Sequence, residues 1–163
     1  MEKSNSHPSS HNNINCLIDT DVLINWLAQE IDPRTNKELW KTPHQIIKLI
    51  EDKKIKGFIS IINLLEVRFV LRRKKDFAEE RIKKDIAKIL EILEVVIPDE
   101  IDLLRANEVQ TDHLLGPSDA LLVSAGLNLR ETILISRDKT LLTLASKFLP
   151  TATPEEFLTK IKK

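Results

Sequence analysis

At 163 residues, with 42% apolar and 31% charged side chains, the chain has the composition of one soluble globular domain with a full core, and no apolar stretch approaches a membrane span. Its 25 basic and 25 acidic residues cancel, so nucleic-acid binding would have to come from a local patch and not from the overall field. Cys16 is the only cysteine, which excludes a disulfide framework and points to a cytoplasmic setting.

Residues 1–13 are polar, lack the apolar centre of a signal peptide, and are expected to form a disordered N-terminal extension to a domain over 14–163. The apolar run over 14–19 reads as a first strand, and Asp21-Val22-Leu23-Ile24-Asn25-Trp26-Leu27-Ala28 begins a helix that ends before Pro33. Thr42-Pro43-His44-Gln45 has the pattern of a capping box, with Thr42 as the cap of an amphipathic helix through Ile46, Ile47, Leu49 and Ile50. A second strand is expected at 56–60, followed by a helix to about 74. Another helix runs from about 77 to 93, with Ile82, Ile86, Ile89, Leu90 and Leu93 on one stripe. A third strand, Glu94-Val95-Val96-Ile97, stops at Pro98. Helices near 99–111 and 117–129 precede a fourth strand at 132–136, and a helix over 139–148 leads to a short strand near 149–152. Thr153-Pro154-Glu155-Glu156 is a second capping box and opens the last helix. Strands separated by helices imply a three-layer α/β/α sandwich on a mostly parallel sheet of about five strands.

Four carboxylates stand where strands end or helices begin: Asp19, Glu66, Asp119 and Asp138. In an open parallel sheet, strand carboxyl ends and helix amino ends share one edge, where ligands bind. Asp19 and Asp138 each have an ordinary reading as helix caps, and Asp119 as a first-turn acid facing the helix dipole. Glu66 is less easily dismissed, because its helical neighbours are Ile62, Asn63, Phe69 and Val70, none of them basic. Taken together, the four acids are brought to one rim. Two unit charges about 5 Å apart at an effective dielectric of about 20 repel by roughly 3 kcal/mol, so a cation should join them. Oxygen-only ligation, without cysteine or histidine, selects Mg²⁺ or Mn²⁺ over zinc. Phosphodiester hydrolysis is the chemistry such a site serves.

Ile18-Asp19-Thr20-Asp21-Val22-Leu23-Ile24 resembles the opening motif of PIN domains, and Ser60 followed by Glu66 looks like the second. Ser118-Asp119-Ala120-Leu121-Leu122-Val123-Ser124-Ala125 and Ile135-Ser136-Arg137-Asp138 resemble the third and fourth, and Thr153-Pro154-Glu155-Glu156-Phe157-Leu158 is similar to a frequent ending. The resemblance spans about residues 14–160. It implies a metal-dependent ribonuclease preferring single-stranded or looped RNA, often the VapC-type toxin of a toxin–antitoxin pair with a cognate antitoxin as partner, and usually a homodimer. By the same resemblance Asp19 and Asp119 would ligate the metal. Glu66 and Asp138 would complete the shell, directly or through water, and Thr20 and Ser136 would support it with hydroxyls. Asp21 departs from the family pattern, in which Asn is common, and its extra negative charge reads either as tightening metal binding or as a helix cap; the polar N-terminal extension departs from the pattern too.

The segment 68–84 carries Arg68, Arg72, Arg73, Lys74, Lys75, Arg81, Lys83 and Lys84, offset by Asp76, Glu79 and Glu80. It reads as a solvated helical hairpin, with Arg73 a candidate contact to an RNA backbone. Arg137, beside Asp138, is a second candidate. The four histidines have no metal-ligand spacing, and no phosphate loop or nucleophile elbow is present. Three alternatives stay open. One is a PIN nuclease of RNA processing outside any toxin pair. Another is a phosphatase of the haloacid-dehalogenase type using Asp19-Thr20-Asp21, although Leu23 replaces the usual Thr or Val and Glu66 goes unused. The third is a non-catalytic interaction module.

Overall fold

The computed structural model describes residues 14–112 and 114–162, so the expected extension over 1–13 lies outside the described residues. Strand β1 (Asn15–Ile18) is central, with β2 (Lys56–Ser60) and β3 (Glu94–Val96) on one side and β4 (Thr132–Ile135) and β5 (Thr151–Ala152) on the other. All the pairings are parallel, with Leu17 opposite Phe58 and Leu134, and Ile18 opposite Ile135.

The alternation of side chains along each strand builds the two faces. Cys16, Ile18, Ile59 and Ile135 face one apolar cluster. Against them pack α1 (Thr20–Ala28), α2 (Lys41–Glu51), α3 (Ile61–Arg73), α4 (Glu79–Ile92) and α8 (Pro154–Ile161). Leu17, Phe58 and Leu134 face the other way, onto α5 (Glu100–Asp112), α6 (Pro117–Leu127) and α7 (Lys139–Ala145). The result is a three-layer α/β/α sandwich, as the sequence pattern implies, with the parallel sheet buried on both sides. Among the described residues, no helix is long and apolar enough to cross a membrane.

Local signals held where the cap was self-contained. Thr153 and Glu156 form a reciprocal capping box on α8, with the Thr153 hydroxyl accepting from Glu156 N at 3.2 Å and the Glu156 carboxylate accepting from Thr153 N at 2.8 Å. The corresponding reading of Thr42 is corrected. Helix α2 starts at Lys41, Trp40 is its cap residue, and no side chain caps it. The segment before it is already pinned by Leu39 N donating to Glu30 O at 2.9 Å and Leu39 O accepting from Arg137. It therefore delivers Trp40 in helical backbone, and His44 N closes the first turn onto Trp40 O at 3.0 Å. Leu90 also leaves the expected stripe of α4, being 49% exposed while Ile82 and Ile89 are fully buried.

Candidate active site

The carboxyl end of β1 sets the centre of the site. The chain leaves Ile18 in extended backbone at Asp19 (φ −77°, ψ 160°), which caps α1 by accepting from Thr20 N at 2.7 Å. Asn63 Nδ2 donates to the same Oδ1 at 2.9 Å, and Ser136 Oγ donates to Oδ2 at 2.7 Å. Asp19 is only 8% exposed and forms no salt bridge among the described residues. Burial, then the charge of Asp21, pushes its carboxyl up to about 7; the hydrogen bonds from Ser136 and Thr20 oppose this, and Asp119 adds to it.

Three further elements bring their acids to this rim. Ser60 caps α3 by accepting from Ile62 N at 3.3 Å, and this starts the helix in a register that places Asn63 and Glu66 on one face toward Asp19. Asn63 Nδ2 also donates to Thr20 Oγ1 at 2.9 Å, and that hydroxyl donates onward to Glu66 Oε2 at 2.8 Å. Asp138 caps α7, its Oδ1 accepting from Thr140 N at 2.8 Å and Leu141 N at 3.0 Å. Its own N–H donates to Ser136 Oγ at 3.0 Å, so the buried Ser136 hydroxyl ties Asp19 to the turn that carries Asp138. Asp119, in the first turn of α6, accepts no hydrogen bond from the described residues. Burial, then the charges of Asp138, Glu66 and Asp21, raises its carboxyl above the ordinary range. Those mutual influences place the four predicted acids, and Asp21 with them, in one electrostatic neighbourhood.

Asp21 and Asn63 were not among the site residues expected from sequence. Asp21 Oδ2 accepts from Arg137 N at 2.9 Å and lies 3.4 Å from Ser136 Oγ, while its Oδ1 is buried with no hydrogen-bond partner. Its carboxyl is raised, chiefly by burial. For Asn63 the available signal was its place one turn before Glu66 on the same stripe, where a buried amide needs polar company.

The two arginines expected to meet RNA part ways. Arg137 is a strut: Nε donates to Asn25 Oδ1 at 2.6 Å, the two terminal nitrogens reach Glu155 at 2.9 and 3.0 Å, and one of them also reaches Leu39 O at 3.0 Å. With its planar fork spent on protein acceptors, it is withdrawn as an RNA contact. Arg73 is exposed at the end of α3 and joins no ion pair among the described residues. Its neighbours are largely paired: Arg68 and Arg72 share Glu79, Lys75 binds Glu30, and Arg81 bonds Leu27 O at 3.0 Å. That pairing matches the solvated-hairpin reading.

Among the described residues, no three acid, histidine or cysteine side chains converge closely enough to hold an ion as they stand. Asp19, Glu66 and Asp138 are turned onto Ser136, Thr20 and the α7 amides instead. The donor set nonetheless fits a hard dication. It offers carboxylate oxygens alone, a buried Asp21 oxygen without a partner, an unpaired Asp119, and no salt bridge to any of the four predicted acids among the described residues.

Comparison with known proteins bears on the fold and the family. Solved structures of similar fold include VapBC2 from Rickettsia felis bound to a DNA fragment from its promoter, at 14% identity and TM-score 0.61, covering 86% of this chain and 98% of that one. VapBC-1 from nontypeable Haemophilus influenzae is similar at 15% identity and TM-score 0.61, covering 87% and 99%. PAE2754 from Pyrobaculum aerophilum is similar at 15% identity and TM-score 0.63, covering 94% and 98%. Among curated proteins no sequence matches. The profile of the PIN domain matches residues 16–147, a span that contains Asp19, Asp21, Asn63, Glu66, Asp119, Ser136 and Asp138; the chain belongs to the PIN domain family.

Proposed function

We propose that this protein is a metal-dependent endoribonuclease acting on single-stranded or looped RNA, and the toxin of a toxin–antitoxin pair. The observation that carries the nuclease reading is the acidic rim itself. Asp19, Asp21, Glu66, Asp119 and Asp138 share one electrostatic neighbourhood, and among the described residues Asp19, Glu66, Asp119 and Asp138 form no salt bridge. A protein without chemistry to serve has no use for that repulsion.

Asp19 and Asp119 would hold Mg²⁺ or Mn²⁺, with Glu66 and Asp138 completing the shell directly or through water. Such an ion supplies charge stabilisation to a phosphodiester and eases deprotonation of water. The chain's own residues prepare the ground. Ser136, Asn63 and Thr20 N fix both oxygens of Asp19, and the Thr20 hydroxyl fixes Oε2 of Glu66. Asp138 is anchored through Oδ1 only, so its second oxygen, like Oε1 of Glu66, is left to accept a proton from an attacking water. Exposed Arg73 would attract the RNA backbone.

The toxin assignment rests on the family together with the named VapBC structures of like fold. It brings with it a cognate antitoxin, a homodimer and a cytoplasmic setting. Leu65 and Phe69, 59% and 58% exposed on α3, offer apolar surface for a protein partner or a second copy. The test is cleavage of single-stranded and structured RNA with Mg²⁺, Mn²⁺ or EDTA, for wild type, Asp19→Asn and Asp119→Asn. Loss of cleavage in EDTA and in both variants is expected; cleavage that persists in either condition rejects the metal-nuclease reading. A short neighbouring reading frame whose product binds this chain and blocks cleavage would establish the toxin role.

A further inference from the structure

We infer that Glu155, in the first turn of α8, is a positioning residue for cleavage: through Arg137 it holds the connection 136–138 against the acidic rim. The inference rests on the nuclease reading above and adds a residue from outside 16–147, the span that the PIN profile matches.

Ser136, Arg137 and Asp138 connect β4 to α7, and each of them belongs to the rim. Ser136 Oγ donates to Asp19 Oδ2 at 2.7 Å, Arg137 N donates to Asp21 Oδ2 at 2.9 Å, and Asp138 is itself one of the acids. The same three residues are held by the carboxyl-terminal segment of the chain. Ser136 N donates to Ala152 O, in β5, at 3.2 Å. Glu155 accepts from both terminal nitrogens of Arg137, at 2.9 and 3.0 Å, while Asn25 Oδ1 accepts from Nε at 2.6 Å and Leu39 O from one terminal nitrogen at 3.0 Å. Lys37 Nζ reaches Glu155 Oε1 at 3.0 Å and braces the carboxylate from the loop before α2. Arg137 therefore has its amide at the rim and its guanidinium, 19% exposed, against α8. A mostly buried ion pair adds little net stability over an apolar contact of the same shape, because desolvation offsets the attraction. What a two-pronged pair fixes is geometry. Of these three acceptors, Glu155 alone meets two nitrogens of the fork, so it sets the orientation of the guanidinium and, through its stem, the place of the 136–138 backbone.

The test is steady-state cleavage of a single-stranded RNA with Mg²⁺ or Mn²⁺, together with amide hydrogen exchange of Arg137 and Asp138 followed by NMR in EDTA. Glu155→Gln is nearly isosteric, removes the charge and leaves one acceptor oxygen for the fork. It is expected to lower kcat by about 10-fold or more at unchanged KM, since a displacement of about 1 Å can cost about 100-fold, and to speed exchange of both amides. Glu156→Gln is the control on the same helix: it weakens the capping box of α8 without touching Arg137, and should leave kcat and both amides as in wild type even where it lowers the urea midpoint. If Glu155→Gln fails to fold, Glu155→Asp, which keeps the charge and shortens the reach by a methylene, is read in its place. Wild-type kcat in the variant that folds overturns the role of Glu155 while leaving the nuclease reading intact. An equal loss of kcat in Glu156→Gln overturns it too, by assigning the effect to helix stability, as does a raised KM at constant kcat, by making it one of binding. A wild-type protein that cleaves no RNA overturns the nuclease reading and any positioning role in cleavage with it. Unchanged exchange of Arg137 and Asp138 overturns the hold of Glu155 on 136–138 whatever the cleavage result.

Discussion

Asp19→Asn should stabilise the metal-free protein. The carboxyl of Asp19 rises from an ordinary 3.8 to about 7 on folding, driven first by burial and then by Asp21. Carrying the charge in the folded state at neutral pH therefore costs about 4 kcal/mol at most. Part of that cost belongs to Asp21, which remains, so a gain of about 2 kcal/mol is expected from the variant in EDTA at pH 7.5. Asn replaces Asp at little cost as a cap: its oxygen still accepts from Thr20 N and Asn63, and its amide can donate to Ser136 Oγ. Because the folded state holds this proton more tightly than the unfolded chain, the penalty is absent below about 3.8, grows as pH rises, and is complete above about 7. The advantage of the variant should follow that window and vanish near its lower end. Urea unfolding in EDTA reads it directly, as a midpoint shift of about 1 M for a slope of about 2 kcal/mol/M. Saturating Mg²⁺ should reverse the order, since only wild type gains the binding energy. An Asp19→Asn protein less stable than wild type in EDTA at pH 7.5 would refute the reasoning and make Asp19 a structural cap.

Arg137→Ala should cost about 2 kcal/mol of stability in urea titrations, because Asn25 Oδ1 and Leu39 O lose a donor and Glu155 keeps only Lys37, and Arg137→Lys should recover little because one ammonium cannot reach all three. Glu155 is brought down to about 2: burial alone would raise it, but the hydrogen bonds from Arg137 and Lys37 override that. Its contribution is present above an ordinary 4.5 and lost as pH falls toward about 2, so the stability difference between wild type and Glu155→Gln should close across that window. The Cys16 thiol is fully buried and pushed up to about 12 by desolvation, so a thiol reagent at pH 8 should label the protein only at its rate of global unfolding; rapid labelling of native protein would contradict the placement of β1.

The layers of the fold were legible because strand alternation needs no partner to be seen: Cys16 and Ile18 against Leu17, and Ile135 against Leu134, declare two buried faces. Asp19, Asp119 and Asp138 stand at element boundaries, which local sequence marks, while Glu66, inside α3, stood out only as an acid among apolar helical neighbours. What the sequence left hidden is whatever depends on distant chain. Arg137 looked like a substrate contact because it adjoins Asp138; its true acceptors, Asn25 and Glu155, lie 112 and 18 residues away. Asn63 read as one helical neighbour of Glu66, and only the crossing of α3 over the end of β1 makes it a donor to Asp19. The Thr42 signature failed for the same reason, since a pinned Leu39 started α2 before the cap could act.

The sheet order explains how one rim can tolerate so much uncompensated charge. From β1 the chain builds outward through β2 and β3 on one side, then returns to add β4 and β5 on the other, so the strand order reverses between β1 and β4. The crevice at such a reversal is where open parallel sheets bind ligands. Asp19 lies one residue past the end of β1, and Ser136 one past the end of β4. Helices leave or approach this crevice amino-end first: Asp19 caps α1, Asp138 caps α7 and Asp119 sits in the first turn of α6. Each of those ends stabilises a nearby anion by about 0.3–1 kcal/mol through its free amides and dipole. Three helix ends thus supply diffuse positive potential without an arginine side chain in the pocket. An arginine there would neutralise the carboxylates more fully and, by occupying them, would also exclude the dication proposed for this site.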